Sequence, residues 1–220
     1  MMRNKQKRFA ENRERANIFE PEKPGYEEIK GNWHGKYFEN ENHITLELAC
    51  GKGEYTTGLA RHYPERNFIG VDIKGDRIWY GSKEAEEEDL NNVAFLRTQI
   101  QLLEKFFVDG EVHDIWITFP DPRPKKRDIK RRLTSPRFLD MYKKVMQKEG
   151  WVFFKTDNPG LFDYTLEVLS ERNDIKNLSY TRDLYHSEFM DEHHGIKTRF
   201  EKMFYEKGFS IKYLKFQWDQ

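Results

Sequence analysis

The stretch ITLELACGKGEYTTGLARHYPERNFIGVD, residues 44–72, decides the architecture. ITLELA (44–49) is a short β-type run, CGKG (50–53) a glycine turn, EYTTGLARHY (54–63) a helical stretch closed by Pro64, and NFIGVD (67–72) a second strand. Strand, turn, helix and strand in this order make a βαβ unit with its two strands parallel in one sheet. Outward from it, KGDRIWYGSKEAEEEDL (74–90), FLDMYKKVMQK (138–148) and LFDYTLEVLSER (161–172) read as helices. NVAFLR (92–97), HDIWITF (113–119) and GWVFFKTD (150–157) read as strands. Several strands are continuous apolar runs, as expected of a parallel sheet covered by helices on both faces. After residue 174 the pattern changes. DIKNLSYTR (174–182) and RFEKMFYEKG (199–208) read as β-type around a polar loop, and SIKYLKFQW (210–218) follows, so an antiparallel C-terminal addition to the sheet is expected.

A chain of 220 residues suits one α/β domain. Charged residues make up 35% and aromatics 15%, which excludes a disordered chain, and the formal net charge is zero. Distribution matters more than the sum, because salt screens a charge beyond about 8–10 Å. Basic clusters run from Arg3 to Arg15 and from Arg123 to Arg132, offset by an acidic run from Glu84 to Asp89. Cys50 is the only cysteine, so no intrachain disulfide forms and an oxidising compartment is not required. No apolar run approaches the roughly 18 residues of a membrane span. No apolar stretch follows the basic N-terminus as in a secretory signal, so a cytoplasmic location is expected. Residues 1–20 read as a polar arm that can be helical, Pro21, Pro24 and Gly25 break the chain, and the ordered core is expected to begin near Ile44.

The glycine turn sits at the carboxyl end of the first strand, where open α/β sheets bind ligands. Gly51 and Gly53 let the backbone approach a ligand and take positive φ. The second strand ends in Asp72, 25 residues after Glu47, where a carboxylate can accept from ribose hydroxyls. This fits a dinucleotide or S-adenosylmethionine. A dinucleotide fingerprint starting at Gly51 requires glycine at position 56, which is Thr56. Glu47, just before the turn, suits the cationic amino-acid end of S-adenosylmethionine.

ITFPDPRPKKRDIKRRL, residues 117–133, is the most informative segment for function. Prolines fix the backbone around Asp121 at a strand end. Arg123, Lys125, Lys126, Arg127, Lys130, Arg131 and Arg132 follow within ten positions, enough charge to engage several phosphates. A bare cationic run is more often a solvated loop. An acid framed by prolines beside the run points instead to a base handled in a pocket while a phosphate backbone is gripped outside it.

With LELACGKG, FIGVD, FPDPRPKKRDIKRRL, FKTDN followed by LFDYT, and TRFE (198–201) in this order, the chain resembles the bacterial tRNA (guanine-N7-)-methyltransferase family from the basic arm to about residue 205. The resemblance implies a Rossmann-like class I methyltransferase fold over residues 44–220, behind a basic arm and lead-in over residues 1–43. It implies S-adenosylmethionine as cofactor, with contacts at Glu47, Gly51, Gly53, Asp72, Gln99 and Asp121, and Asp121 as the catalytic residue. It implies substrate contacts at Lys125, Asp157, Thr198, Arg199, Phe200 and Glu201, and RNA contacts at Arg127, Asp128, Ile129, Lys130, Arg131 and Arg132. The implied partner is tRNA, with the variable-loop guanine at position 46 as target. No metal or membrane partner is expected, and the chain is a monomer or homodimer.

Three positions depart from the family pattern. Ala49 stands where the family's cofactor loop has its first glycine, a small cost if its φ is negative, as expected here. Gln99 is one methylene longer than the usual asparagine, and Arg123 replaces a tryptophan between the two prolines after Asp121. His186, His193 and His194 lie in a polar loop near Asp191 but match no structural zinc spacing. Trp79, Trp116 and Trp151 read as core, and Cys50 as a small filler without a base to activate it. Rival readings are an RNA-binding protein that kept the fold without catalysis, a nucleotide-dependent oxidoreductase, and a methyltransferase for another substrate.

Overall fold

The structure, a computed structural model, describes residues 4–219; residues 1–3, including Arg3 of the N-terminal cluster, and residue 220 lie outside that range. Among the described residues one sheet contains β1 (Ile18–Phe19), β2 (Ile44–Leu48), β3 (Asn67–Asp72), β4 (Val93–Arg97), β5 (Asp114–Thr118), β6 (Trp151–Thr156), β7 (Ile175–Thr181) and β8 (Lys212–Trp218). Their order is β1-β4-β3-β2-β5-β6-β8-β7. The first six pair in parallel, and β8 runs antiparallel between β6 and β7. The helices are α1 (Asn4–Glu14), α2 (Glu54–His62), α3 (Gly75–Glu87), α4 (Pro136–Val145), α5 (Pro159–Ser170) and α6 (Arg199–Glu206). This is the Rossmann-like class I methyltransferase arrangement, with its antiparallel C-terminal strand.

Alternation along the strands splits the core in two. Leu46, Leu48, Ile115, Ile117, Val152 and Phe154 pack with Phe138, Tyr142 and Phe162 of α4 and α5. Phe68, Phe95, Trp116 and Tyr213 pack with Tyr55, Leu59 and Ile78 of α2 and α3. Each such side chain contributes roughly 1.5–3 kcal/mol by leaving water. The parallel order turns around at β2, which has β3 on one side and β5 on the other. A crevice opens beyond the carboxyl ends of strands at such a switch point.

RFEKMFYEKG is not a strand: residues 199–206 form α6. Its aromatic content suggested β structure, but Thr198 and Glu201 close a reciprocal capping box that starts a helix. The core also reaches back before Ile44. Ile18 pairs with Phe95, and Trp33, fully buried, donates to the Phe106 carbonyl at 2.9 Å and stacks on Phe107. Aromatic burial outweighs the polar composition of that lead-in. α1 lies on α3, where Asn12 donates to the Gly75 carbonyl at 2.9 Å and the Arg8 guanidinium sits 4.6 Å from the Tyr80 ring centre. Among the described residues no helix is long and apolar enough to cross a membrane.

Candidate active site

Two cavities flank Ala49 at the switch point. The first, about 270 Å³, is lined by Asp72, Gln99, Asp121, Arg123, Arg131 and Phe138 among others. The second, about 370 Å³, is lined by Glu47, Gly51, Thr118, Phe119, Arg199 and Phe200 among others. Of the residues expected at the site, Glu47, Gly51, Thr198, Arg199 and Phe200 meet at the second cavity, and Asp72, Gln99, Asp121 and Arg131 at the first. Ala49 joins the two because it is the first residue past β2. Its φ is +60°, against the expected negative value: the tight turn into the loop demands the left-handed region, and alanine occupies it under strain. Gly51 and Gly53 follow at +57° and +75°, so the loop is left-handed at three of five consecutive positions.

That curl turns the Gly51 amide onto the Asp72 carboxylate. Asp72 accepts from Gly51 N at 3.0 Å and from Lys74 N at 2.8 Å, one on each oxygen, leaving a lone pair on each for a further donor. Glu47 is buried at the floor of the second cavity. It accepts from Thr56 N at 2.8 Å and from the hydroxyls of Thr56 and Thr118. Burial pushes its carboxyl up to about 7, against the pull of those three hydrogen bonds. Cys50 is buried under the loop, and burial raises its thiol well above its ordinary value, which leaves it unreactive.

The chain leaving β5 is bent by positive φ at Phe119, +49°, and Arg123, +46°. Asp121 is exposed at the rim of the first cavity. Its two oxygens meet Arg123, with Nε at 3.1 Å and the backbone N–H at 3.3 Å. Arginine in the tryptophan position therefore holds the rim acid. Residues 126–131 curl into a short 3₁₀-helix that leaves Lys126, Arg127 and Lys130 exposed. Asp128 takes Arg131 at 3.3 Å, and Ile129 is half-buried. Arg132 turns inward, over the Tyr164 ring at 4.4 Å and onto the Arg123 carbonyl, so it holds the ribbon's shape. Lys125, Asp157 and Glu201 line neither cavity. Lys125 is exposed on the ribbon, and Asp157, half-buried past β6, has its carboxyl raised by burial.

Glu201 reaches the site only through the turn it caps. It is fully buried, with Lys155 Nζ at 2.8 Å and Tyr185 Oη at 2.7 Å on one oxygen and the Thr198 N–H on the other. Lys155, equally buried on β6, also sits 4.8 Å from the Tyr55 ring centre, and burial lowers its pKa against the pull of Glu201. Glu54 of α2 accepts from Arg199 N at 3.0 Å. β6 and α2 thus fix the first turn of α6, which presents Thr198, Arg199 and the exposed Phe200 to the cavity. Lys155, Tyr185 and Glu54 escaped the sequence reading. A lysine inside the apolar run GWVFFKTD and the T-x-x-E spacing at 198–201 are the signals for them.

Of the remaining polar candidates, His194 and His186 have side-chain partners. His194 Nε2 lies 2.9 Å from Tyr63 Oη, His186 Nδ1 lies 3.0 Å from Asp183, and His193 is buried. Among the described residues no three His, Cys, Asp or Glu side chains group as metal ligands. Trp116 is buried and stacked on Phe153, while Trp79 is half-buried and donates to Glu11 of α1.

The residues fit S-adenosylmethionine. A carboxylate with free lone pairs and the Thr98–Gln99 segment offer acceptors for ribose and adenine, and across Ala49 a buried acid faces space for a cationic amino-acid end. The methyltransferase family Methyltransf_4 matches residues 41–214. A tRNA (guanine-N(7)-)-methyltransferase of Cytophaga hutchinsonii is 52% identical over 99% of this chain and 98% of its own. Another, of Bacteroides fragilis, is 44% identical over 98% of this chain and 86% of its own. Among solved structures, the 16S rRNA methyltransferase KamB superposes with a TM-score of 0.62 at 14% identity, covering 84% of this chain and 92% of that one, a likeness of fold. Identity at the level of the first two, across almost the whole chain, leaves one assignment: this protein belongs to the tRNA (guanine-N(7)-)-methyltransferase family.

Proposed function

We propose that this chain transfers a methyl group from S-adenosylmethionine to N7 of a guanine in tRNA, the variable-loop guanine at position 46. The observation that carries the reading is Asp121 on the rim of the cavity that also holds Asp72 and Gln99, with the cationic ribbon beginning two residues later. The cofactor supplies an electrophilic methyl on a sulfonium. Asp72 and Gln99 hold its nucleoside half and Glu47 its ammonium.

Guanine N7 carries an in-plane lone pair and no proton, so no general base is required to create the nucleophile. The protein's task is positioning, with the reacting atoms held about 3–3.5 Å apart. Asp121 accepts from the N1–H and N2–H₂ edge of the guanine and stabilises the positive charge that develops on the ring. Adenine lacks those donors and forgoes hydrogen bonds to a charged acceptor, worth about 1.5–3 kcal/mol each. The base leaves its stack to reach the cavity. Arg123 shares Asp121 with the incoming base, and its planar guanidinium offers a stacking face. Lys125 and Arg199 hold the flanking phosphates, and Lys126, Arg127 and Lys130 the neighbouring backbone.

Methyl-label transfer to unmodified bulk tRNA, followed by mapping of the labelled nucleotide, tests the reading. The label is expected on N7 of guanine 46. Asp121→Ala is expected to lower turnover by orders of magnitude while keeping part of the S-adenosylmethionine binding. Label on another atom, or near-normal turnover of the variant, would refute the target or the role of Asp121 respectively.

A further inference from the structure

The Glu47 cavity has a second electrostatic pole. Arg77, in the first turn of α3, and Lys52, in the glycine turn, both line it, and among the described residues neither has an ion-pair partner. Arg77 and Tyr80 stand three residues apart on one face of α3. The Lys52 Nζ lies 4.4 Å from the centre of the Tyr80 ring, which brings the two cations to the same side of the cavity. The placement is rigid, because a Cβ at Gly81 would meet the Lys52 carbonyl oxygen at 2.7 Å, so α3 packs directly onto the loop. Like charges gathered without an acid between them are unfavourable until an anion joins them. Glu54, the rim acid of this cavity, has one oxygen on the Arg199 N–H. Glu47 lies on the floor. Arg199, on the α6 side, is a third lining cation without an ion-pair partner among the described residues; with Glu47 on the floor and Arg77 and Lys52 on the α3 side, the cavity complements a zwitterionic α-amino acid.

We propose that Arg77 and Lys52 hold the α-carboxylate of the cofactor's amino-acid end, while Glu47 takes its ammonium. This rests on the reading of S-adenosylmethionine as cofactor, and it names the residues that recognise the half of the molecule away from the nucleoside. A phosphodiester of the RNA would fit this cavity worse, since it brings no cation to set against Glu47. Charge-assisted bonds to a carboxylate in a partly buried site are the stronger kind, so loss of either cation should be visible in affinity.

The test compares two ligands on the full chain by calorimetry. S-adenosylhomocysteine keeps the amino-acid end, and 5′-methylthioadenosine keeps adenine, ribose and sulfur but lacks it. Arg77→Leu and Lys52→Met are each expected to weaken S-adenosylhomocysteine at least tenfold and to change 5′-methylthioadenosine less than twofold. Thermal melts establish that each variant is folded; if one is not, the other carries the comparison. Unchanged S-adenosylhomocysteine affinity, or equal losses for the two ligands, overturns the proposal. Unchanged S-adenosylhomocysteine affinity with weakened tRNA binding also overturns it and moves the two cations to the RNA backbone. A wild-type chain that binds neither ligand overturns the cofactor reading itself.

Discussion

Ala49 and Glu47 carry opposite kinds of cost at the same loop. An alanine at φ +60° is strained by about 1–2 kcal/mol, and glycine there would return roughly 0.4–1 kcal/mol of that to chain entropy. Ala49→Gly is therefore expected to stabilise the fold by about 0.5–1 kcal/mol, read as a higher denaturation midpoint at unchanged slope. The Glu47 carboxyl, ordinarily near 4.5, is raised to about 7 in the fold. A raised acid adds stability that is complete below its unfolded value and is lost as pH rises through 7. Glu47→Gln should accordingly be more stable than the wild type above pH 7, by up to about 3 kcal/mol, and not below pH 4. In the same variant cofactor affinity should fall. In the wild type, affinity should weaken about tenfold per unit below pH 7, because Glu47 must lose its proton to face an ammonium. Calorimetry in two buffers of different ionisation enthalpy should detect the released proton; pH-independent binding would remove Glu47 from the ammonium site.

At the scale of elements, α6 is anchored by a buried ion pair as well as by the ring contact of Tyr205 with Tyr185. Its fully buried residue is Glu201, and the cation opposite stands on β6. Removing one partner of a buried pair strands the other and costs about 3–5 kcal/mol, whereas removing both charges is often nearly neutral. Lys155→Met is expected to lose stability by that amount. Adding Glu201→Gln should recover most of it but not the tRNA affinity, because the α6 first turn that presents Arg199 and Phe200 loses its anchor to β6. Thermal melts and tRNA titrations on the single and double variants separate the two effects. If the double variant binds tRNA normally, the pair supports the fold alone.

Over the whole molecule, zero net charge means that affinity for a polyanion depends on where cations are exposed. Arg132 is committed inside the protein, to Tyr164 and the Arg123 carbonyl, while Lys126, Arg127, Lys130 and Arg131 are exposed on the 3₁₀ turn, the two arginines sharing Asp128. Replacing Lys126 and Lys130 by alanine is expected to reduce the slope of log affinity for tRNA against log salt by about two, one per lost phosphate contact, without altering thermal stability. Arg132→Ala is expected to lower stability as well. A slope unchanged by the double substitution would place the ribbon outside the interface.

Local signals determined much of this protein. The β-type apolar runs and the helical runs marked five parallel strands and their helices, the glycine turn after LELA located the ligand end of the sheet, and FPDPRPKKRD placed an acid beside a cationic strip. Each depends on neighbours in the chain and is therefore visible in it. The capping box that makes 199–206 a helix was equally local, but the aromatic content of RFEKMFYEKG masked it. Only the tertiary structure decided the rest. The depth that raises the Glu47 carboxyl, the burial of Glu201 against Lys155 and the placing of Lys52 and Arg77 on one cavity all join segments far apart in sequence or depend on burial. Burial and long-range electrostatics are properties of the packed molecule, and no window of residues contains them.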